Sequence, residues 1–314
     1  MDGVSVTDDH VFRSQNYGVM MVQLSPAPDR AQWLEERKTR LGATDVSAIL
    51  GLNPYRTAYE AWLDKKGLLE NWEGNDATYL GSLLEPAILD EAEKRWGTIA
   101  RNVCAKHDTA PIAVTLDGWL VGNAEPVEIK TAGLTNEFAE LGHWGESATD
   151  QIPEWYLLQV QTQLLCTDAE WCRMLALISG RGLVYYCVKR DEKVGNVIET
   201  ECSKWWQKHI IEGIEPERNP APSIEILKRI RRVPDTVCEF GRSELELIED
   251  WQVAKQEASA AEKRAKELQA AVLMALGTNE GALLPDGRTL TYLETHRKGY
   301  TVEPTSYRQL KVKK

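Results

Sequence analysis

The chain has 314 residues, 43% hydrophobic and 27% charged, with a formal net charge of -11. That is enough apolar mass for one large or two smaller cores. The acidic balance, with a pI near 5.1, excludes a nonspecific nucleic-acid coat but not a protein that meets phosphates through local lysines and arginines.

In chain order, Arg30 to Arg40 reads as a short charged helix that Gly42 breaks, and Thr44 reads as the N-cap of a helix running to Gly51. A helix N-terminus offers free amides and a positive dipole end, so with Arg40 just before it this segment can form a phosphate pocket. The plainer alternative is a capped surface helix with a solvated arginine. Arg30, Arg37, Lys38, Arg40 and Arg56 form one basic group and Arg297 to Lys314 another, which predicts a basic passage through an acidic exterior. Thr57 and Glu60 have capping-box spacing for a helix through Trp62 to Gly67. From Thr78 to Trp96, apolar Leu80, Leu84, Ile88 and Ala92 keep a helical repeat that stops at Gly97. Glu85 lies beside that stripe, and Pro86 removes a backbone donor just after it. A carboxylate held there can reach a site at a sheet edge.

Val114 to Val121 is apolar and β-prone, Gly122 to Pro126 carries turn chemistry, and Val127 to Thr131 reads as a returning strand. Strand alternation puts Glu128 and Lys130 on one face and turns Val127 and Ile129 to the core. Folding about Asn123 and Ala124 brings Asp117 within a residue or two of Lys130. Two carboxylates and a lysine on one face suit Mg²⁺ or Mn²⁺, whose hard oxygen ligands can include a water that becomes a nucleophile. An Asp-Gly turn and a solvated Glu-Lys pair would give the same letters, so the trio needs support from elsewhere.

Trp155 to Thr167 reads as a helix in which Gln159, Gln161 and Gln163 lie among aliphatic residues, and a glutamine amide can orient a water or a phosphate oxygen. Leu183 to Lys189 reads as a strand and Lys204 to Ile211 as a helix whose Trp205 and Trp206 belong to a core. A sheet with helices on its faces makes an α/β core. The six cysteines show no metal-binding spacing, and Cys104 with His107 reads as structural, so free thiols in a reducing cytosol are expected. Neither a secretory leader nor a membrane span is read in the chain, which predicts a soluble, cytoplasmic protein.

Glu215-Pro216 to Pro222 marks a boundary, giving a core over residues 1–222 and an extension over 223–314. Ser243, with Glu246 completing a capping box, opens a long helix that Gly277 ends. Its Trp251, Ala254, Ala258, Ala261, Ala265, Leu268, Val272 and Ala275 alternate spacings of three and four, a coiled-coil-like seam. The partner of that seam can be this subunit, a neighbouring one or another protein. Pro285-Asp286-Gly287 between β-prone stretches predicts a terminal hairpin.

Asp45 within Gly42 to Gly51, then Asn53-Pro54-Tyr55, Gly81 to Pro86, Leu116-Asp117-Gly118, Glu128-Ile129-Lys130 and Gln159-Val160-Gln161 occur in an order and spacing that resembles the YqaJ-like viral recombinases. These are phage alkaline exonucleases similar to the lambda exonuclease, within the PD-(D/E)XK nuclease superfamily. The resemblance covers about residues 30 to 215. It implies a restriction-endonuclease-like core, a central mixed β-sheet flanked by helices. It implies two Mg²⁺ ions per site, with Mn²⁺ as substitute, held by Asp117, Glu128, the Ile129 main-chain carbonyl and Glu85. Lys130 would position or deprotonate the attacking water, Gln161 would help orient it, and Arg40 with Thr44 would grip a 5′-terminal phosphate. Leu116 stands where the superfamily has proline, a residue that contributes no ligand. Asp108 lies near an additional acid of the lambda type at an imperfect offset and is assigned no role.

The implied activity is 5′-to-3′ digestion of linear double-stranded DNA to 5′-mononucleotides, leaving 3′ overhangs for phage recombination. A homotrimeric ring around DNA and a single-strand annealing recombinase as partner are implied only by the resemblance. An endonuclease with the same metal core, or a noncatalytic DNA-end scaffold using the long helix, stay open on the residues themselves.

Overall fold

The computed structural model describes residues 24–26, 32, 35–70, 74–134 and 143–294. They fall into two compact units, Met1–Val233 and Pro234–Lys314. The first begins with the two-residue strand β1 (Ser25–Pro26), then α1 (Ala43–Ile49), α2 (Ala58–Lys65) and α3 (Asp76–Trp96). Strands β2 (Ile99–Ala100), β3 (Val103–Lys106), β4 (Ala113–Leu116), β5 (Gly118–Leu120) and β6 (Glu125–Ala132) follow. Next come α4 (Glu154–Thr167), β7 (Trp171–Ile178), β8 (Gly182–Lys189), α5 (Glu192–Trp206) with a π turn at Gln207–Ile211, and α6 (Ile224–Arg229).

The helix ends follow from capping. Thr57 accepts from the Glu60 amide and Glu60 from the Thr57 amide, the reciprocal pair expected at the head of α2. At α1 the expectation is corrected. The cap is Gly42, whose amide donates to Asp45 Oδ2 at 2.8 Å, and Thr44 is an exposed residue inside the first turn. Asp45 wins because a carboxylate three residues into a helix reaches back to the cap amide and also meets the dipole's positive end.

A five-stranded sheet of order β2-β5-β6-β7-β8 lies at the centre, with β6 and β7 parallel and the other pairs antiparallel. This is the mixed sheet flanked by helices that the sequence predicts. A second sheet, β1-β3-β4, is antiparallel throughout. The expected strand from Val114 to Val121 is therefore two strands in two sheets, broken at Asp117. The turn is also shorter than expected. Leu120 pairs with Glu125, so Glu125 and Pro126 belong to the strand, and Ala124 takes the left-handed conformation at φ 56°.

Both faces of the sheet are covered. On one, Ile88, Leu89 and Ala92 of α3 pack on Leu120, Val127, Ile129 and Leu175. On the other, Val160 and Leu164 of α4 pack on Met174, Ala176 and Tyr186. A third cluster joins α1, α2, β3 and β4 to Leu158, Cys202 and Trp205. Gly118 lies where α3 crosses the hairpin, and an added Cβ would stand 2.5 Å from Ile99 Cγ2 and 3.1 Å from Leu89 Cδ1.

Residues 223–231 return to the first unit. Ser223 donates its amide to Glu60 Oε1 and Ile230 bridges Leu69, so the compact division falls after Val233. The second unit holds α7 (Arg242–Leu276) and the hairpin of β9 (Gly281–Leu283) and β10 (Thr289–Thr291). α7 starts one residue before the expected cap, since Gly241 donates to Glu244 Oε2 and replaces the Ser243-Glu246 box. Gly277 ends it at φ 60° as expected. Of its residues only Leu276 is buried. No helix among the described residues is long and apolar enough to cross a membrane.

Candidate active site

Asp117, Glu128 and Lys130 meet where β4 ends and β5 begins. Gly118 pairs with Val127, so the residue before Gly118 lies level with Glu128 and Ile129 on the neighbouring strand. Asp117 Oδ2 accepts the Ile129 amide at 2.8 Å. Because β4 leaves for the second sheet at this point, the carboxylate takes a donor that another strand would otherwise use.

Glu128 is 1% exposed. On the face expected for it, opposite Val127 and Ile129, it lies beneath α4 and is held by three donors. Its Oε1 accepts from Lys130 Nζ and Gln159 Nε2, and its Oε2 accepts from Gln163 Nε2. Buried carboxylates require such partners, and three charge-assisted bonds hold this one in a single orientation. Lys130 also lies 5.0 Å from the centre of the Tyr156 ring.

Gln161 does not join this group. Its amide donates to the Lys189 carbonyl at 2.7 Å and its oxygen accepts the Asp191 amide at 2.9 Å, which splices α4 to the end of β8 and the start of α5. Gln159 and Gln163, four apart on a helix, share the face turned to Glu128, while Gln161 is two positions off that face. The sequence signal was the i, i+4 spacing of the outer glutamines.

Electrostatics ties the acids together. Burial and then the Glu128 charge push the Asp117 carboxyl well above its ordinary range, and Glu85 adds to the effect. Burial also raises Glu85, with Glu128 next. Glu85 therefore faces the same site from α3. For Lys130, burial opposes the charge, but Glu128 and then Asp117 more than reverse this, so the ammonium is held protonated.

The donor chemistry suits a hard divalent cation. The Glu128 charge helps raise the carboxyls of Asp117 and Glu85, a repulsion that a positive ion relieves, and magnesium uses one or two carboxylates with waters completing its shell. The described residues contain no group of three or more His, Cys, Asp or Glu side chains already arranged to hold a metal. The fit is thus to Asp117 and Glu128, with Glu85 at the margin. Ile129 turns its side chain to the α3 cluster and its amide to Asp117, so its carbonyl is the group left to take the role expected of it.

Arg40 lies apart from the carboxylates. Its charge acts on Cys166, seven residues along α4 from Gln159 and so about 10 Å away along the helix. The basic group around it is largely neutralised. Arg37 and Arg56 reach Asp64 at 2.8 and 2.9 Å, Arg56 also reaches Asp45 at 2.7 Å, and Lys38 pairs with Glu35 at 2.7 Å. No described acid pairs with Arg40. With the Gly42 amide taken by Asp45, the start of α1 is a weaker anion site than expected. Arg30 and the run from Arg297 to Lys314 lie outside the described residues. The described cysteines are free, and Cys104 is buried as a core residue.

A family model described as the YqaJ-like viral recombinase domain matches residues 32–170. The YqaJ protein of Bacillus subtilis (strain 168) is 30% identical over 249 residues, which is 76% of each chain. Among solved structures, the chain is similar to an alkaline exonuclease from Laribacter hongkongensis, at 22% identity and TM-score 0.46 over 58% of this chain and 93% of that one. It is also similar to a phage related exonuclease from Haemophilus somnus 129PT, at 14% identity and TM-score 0.40 over 55% of this chain and 96% of that one. With a relative of that identity matched over three quarters of its length, the chain belongs to the family of the YqaJ-like viral recombinase domain.

Proposed function

We propose that this chain is a magnesium-dependent exonuclease that digests linear double-stranded DNA from 5′ ends, releases 5′-mononucleotides and leaves 3′ overhangs for recombination. The observation that carries this reading is the buried Glu128 held beside the half-buried Asp117 and Lys130, with Glu85 facing them. A surface ion pair has no need of two buried glutamine amides to hold its carboxylate. The names of the exonucleases it is similar to, and its family, point the same way.

Asp117 and Glu128, with the Ile129 carbonyl and Glu85 for a second ion, would hold magnesium or manganese. Bound there, the ions supply the charge that makes a water acidic and neutralises phosphate oxygens. The residues do the rest. Gln159 and Gln163 keep Glu128 from rotating, the Ile129 amide keeps Asp117 in place, and the Lys130 ammonium sits beside the position of the incoming phosphate as a point charge. Water oxygen attacks phosphorus, the bond from phosphorus to the 3′ oxygen breaks, and the departing 3′ oxygen takes a proton. Arg40 would meet the 5′-terminal phosphate, with Thr44 near it.

The same reading includes a homotrimeric ring that threads DNA, a single-strand annealing recombinase as partner, and action in the cytoplasm of a bacterial host. A closed ring would let DNA leave only by threading out, which favours processive digestion. End-labelled linear duplex with Mg²⁺ is the test. Release of labelled mononucleotide from 5′ ends is expected. No digestion would sink the enzyme and leave a DNA-end scaffold, and cutting of closed circular DNA would make it an endonuclease.

A further inference from the structure

A cavity of about 410 Å³ opens between the Leu52–Pro54 turn and the segment of His143 and Pro153–Trp155. Its size is that of a small-ligand site. One wall is aromatic. Trp155 and His143 of the lining meet at 5.3 Å, and Tyr55, just outside the lining and 54% exposed, stands edge to face against Trp155 at 6.1 Å. His143 and Glu154 are both exposed at the cavity and make no hydrogen bond with a described residue.

The cavity adjoins the catalytic group. Trp155 precedes Gln159 by four residues, one turn earlier on the same face of α4, and Gln159 is bonded to Glu128. The Trp155 ring also contacts Tyr156 at 5.6 Å, and the Tyr156 ring lies 5.0 Å from Lys130 Nζ. These contacts join the cavity through α4 to the group around Lys130. No lysine or arginine lines it, and Glu154 would repel a phosphate. Ring walls with an imidazole and a carboxylate at the rim suit a flat heterocycle that carries its own donors.

We infer that this cavity receives a nucleobase adjoining the scissile phosphate, with the ring of Trp155 against the base and His143 and Glu154 at its edge. The inference rests on the nuclease reading. Stacking on aromatic side chains accepts any base, which suits an enzyme that must digest every sequence.

The test uses the full-length protein and linear duplex carrying 5-iodouracil at the 5′-terminal or the next nucleotide, with Ca²⁺ in place of Mg²⁺ so that the acids are neutralised while cleavage is suppressed. Anisotropy reads duplex binding, and irradiation followed by peptide mapping reads what the base touches. Cross-links to Tyr55, His143 or Trp155 are expected, with loss of that yield in Trp155→Leu. His143→Ala, at an exposed position, gives a second variant that keeps the fold and also lowers the yield. An abasic nucleotide at the labelled position should weaken binding about tenfold in the parent and much less in Trp155→Leu. Cross-links elsewhere, or yields unchanged in both variants, would overturn the base site while duplex binding still stood. Absence of duplex binding would remove the nuclease reading, and the base site with it.

Discussion

Asp117 Oδ2 lies 2.8 Å from the Ile129 backbone nitrogen, across the point where one strand leaves the central sheet for another. That bond fixes a half-buried acid against the strand carrying Glu128 and Lys130. The chemistry follows from this break in the sheet, and the following outcomes test it.

Lys130→Ala should reduce DNA cleavage by at least about 100-fold, because it removes the one cation bonded to Glu128. Duplex binding, read by anisotropy, should stay near the parental value. Cleavage at the parental rate would refute the assignment of Lys130.

Gln159→Leu and Gln161→Leu should separate cleanly. The first frees Glu128 and should lower kcat, with a small change in melting temperature. The second orphans the Asp191 amide and the Lys189 carbonyl, costing about 1–3 kcal/mol of stability while kcat holds. Parallel kinetics and urea denaturation check the pair, and a reversed pattern would restore Gln161 to the site.

Gly118→Ala should destabilise the protein by about 1–3 kcal/mol, since the new methyl group meets Ile99 and Leu89. Activity should fall as well, because relief requires α3 or the hairpin next to Asp117 to move. Urea midpoints with an unchanged slope, together with digestion assays, read both effects.

Asp45 predicts an acid limb in the stability profile. Burial alone would raise its carboxyl, but Lys65 at 2.6 Å and Arg56 at 2.7 Å, with the Gly42 amide, hold it well below the ordinary carboxylate value of 3.8. A carboxyl depressed in the folded state adds stability that is fully present above 3.8 and disappears as pH falls toward its folded value. Asp45→Asn should lower stability at neutral pH and flatten that limb. Asp45→Ala should cost about 3–5 kcal/mol at pH 7 by leaving the buried Lys65 without its acid and Arg56 with Asp64 alone. Thermal melts from pH 2 to 7 measure the slope.

Arg40→Ala should reduce the preference for 5′-phosphorylated over 5′-hydroxyl ends. Competition between the two duplexes for digestion gives the ratio, and an equal loss on both would remove Arg40 from end recognition.

Local chemistry was legible wherever neighbours in sequence decide it. The α2 capping box, the α3 stripe ending at Gly97, the Pro285-Asp286-Gly287 hairpin and the alternation of Val127 and Ile129 against Glu128 and Lys130 all depend on residues a few positions apart. The caps of α1 and α7 were missed because a carboxylate at the third helical position competes with a hydroxyl cap, and both chains of residues fit the pattern. β7 gave no usable period. Trp171 to Ile178 is mainly apolar, as expected of a strand covered on both faces, and such a run does not announce its pairing.

The amino-acid order by itself determined which chemistry was available: acids at 85, 117 and 128, a lysine at 130, glutamines two apart on one helix, and an α/β alternation around them. Only the tertiary structure decided how they are used. α4 is buried over most of its surface, so its periodicity does not say which glutamine faces the sheet, and packing against β7 and β8 turned Gln159 and Gln163 to Glu128 and sent Gln161 to the α5 end. Likewise, the break at Asp117 exists because β4 pairs with β3 in one sheet while β5 pairs with β2 and β6 in the other. Which sheet each strand joins is a property of the whole fold, and with the packing of α4 it oriented a short acidic pattern around the buried Glu128.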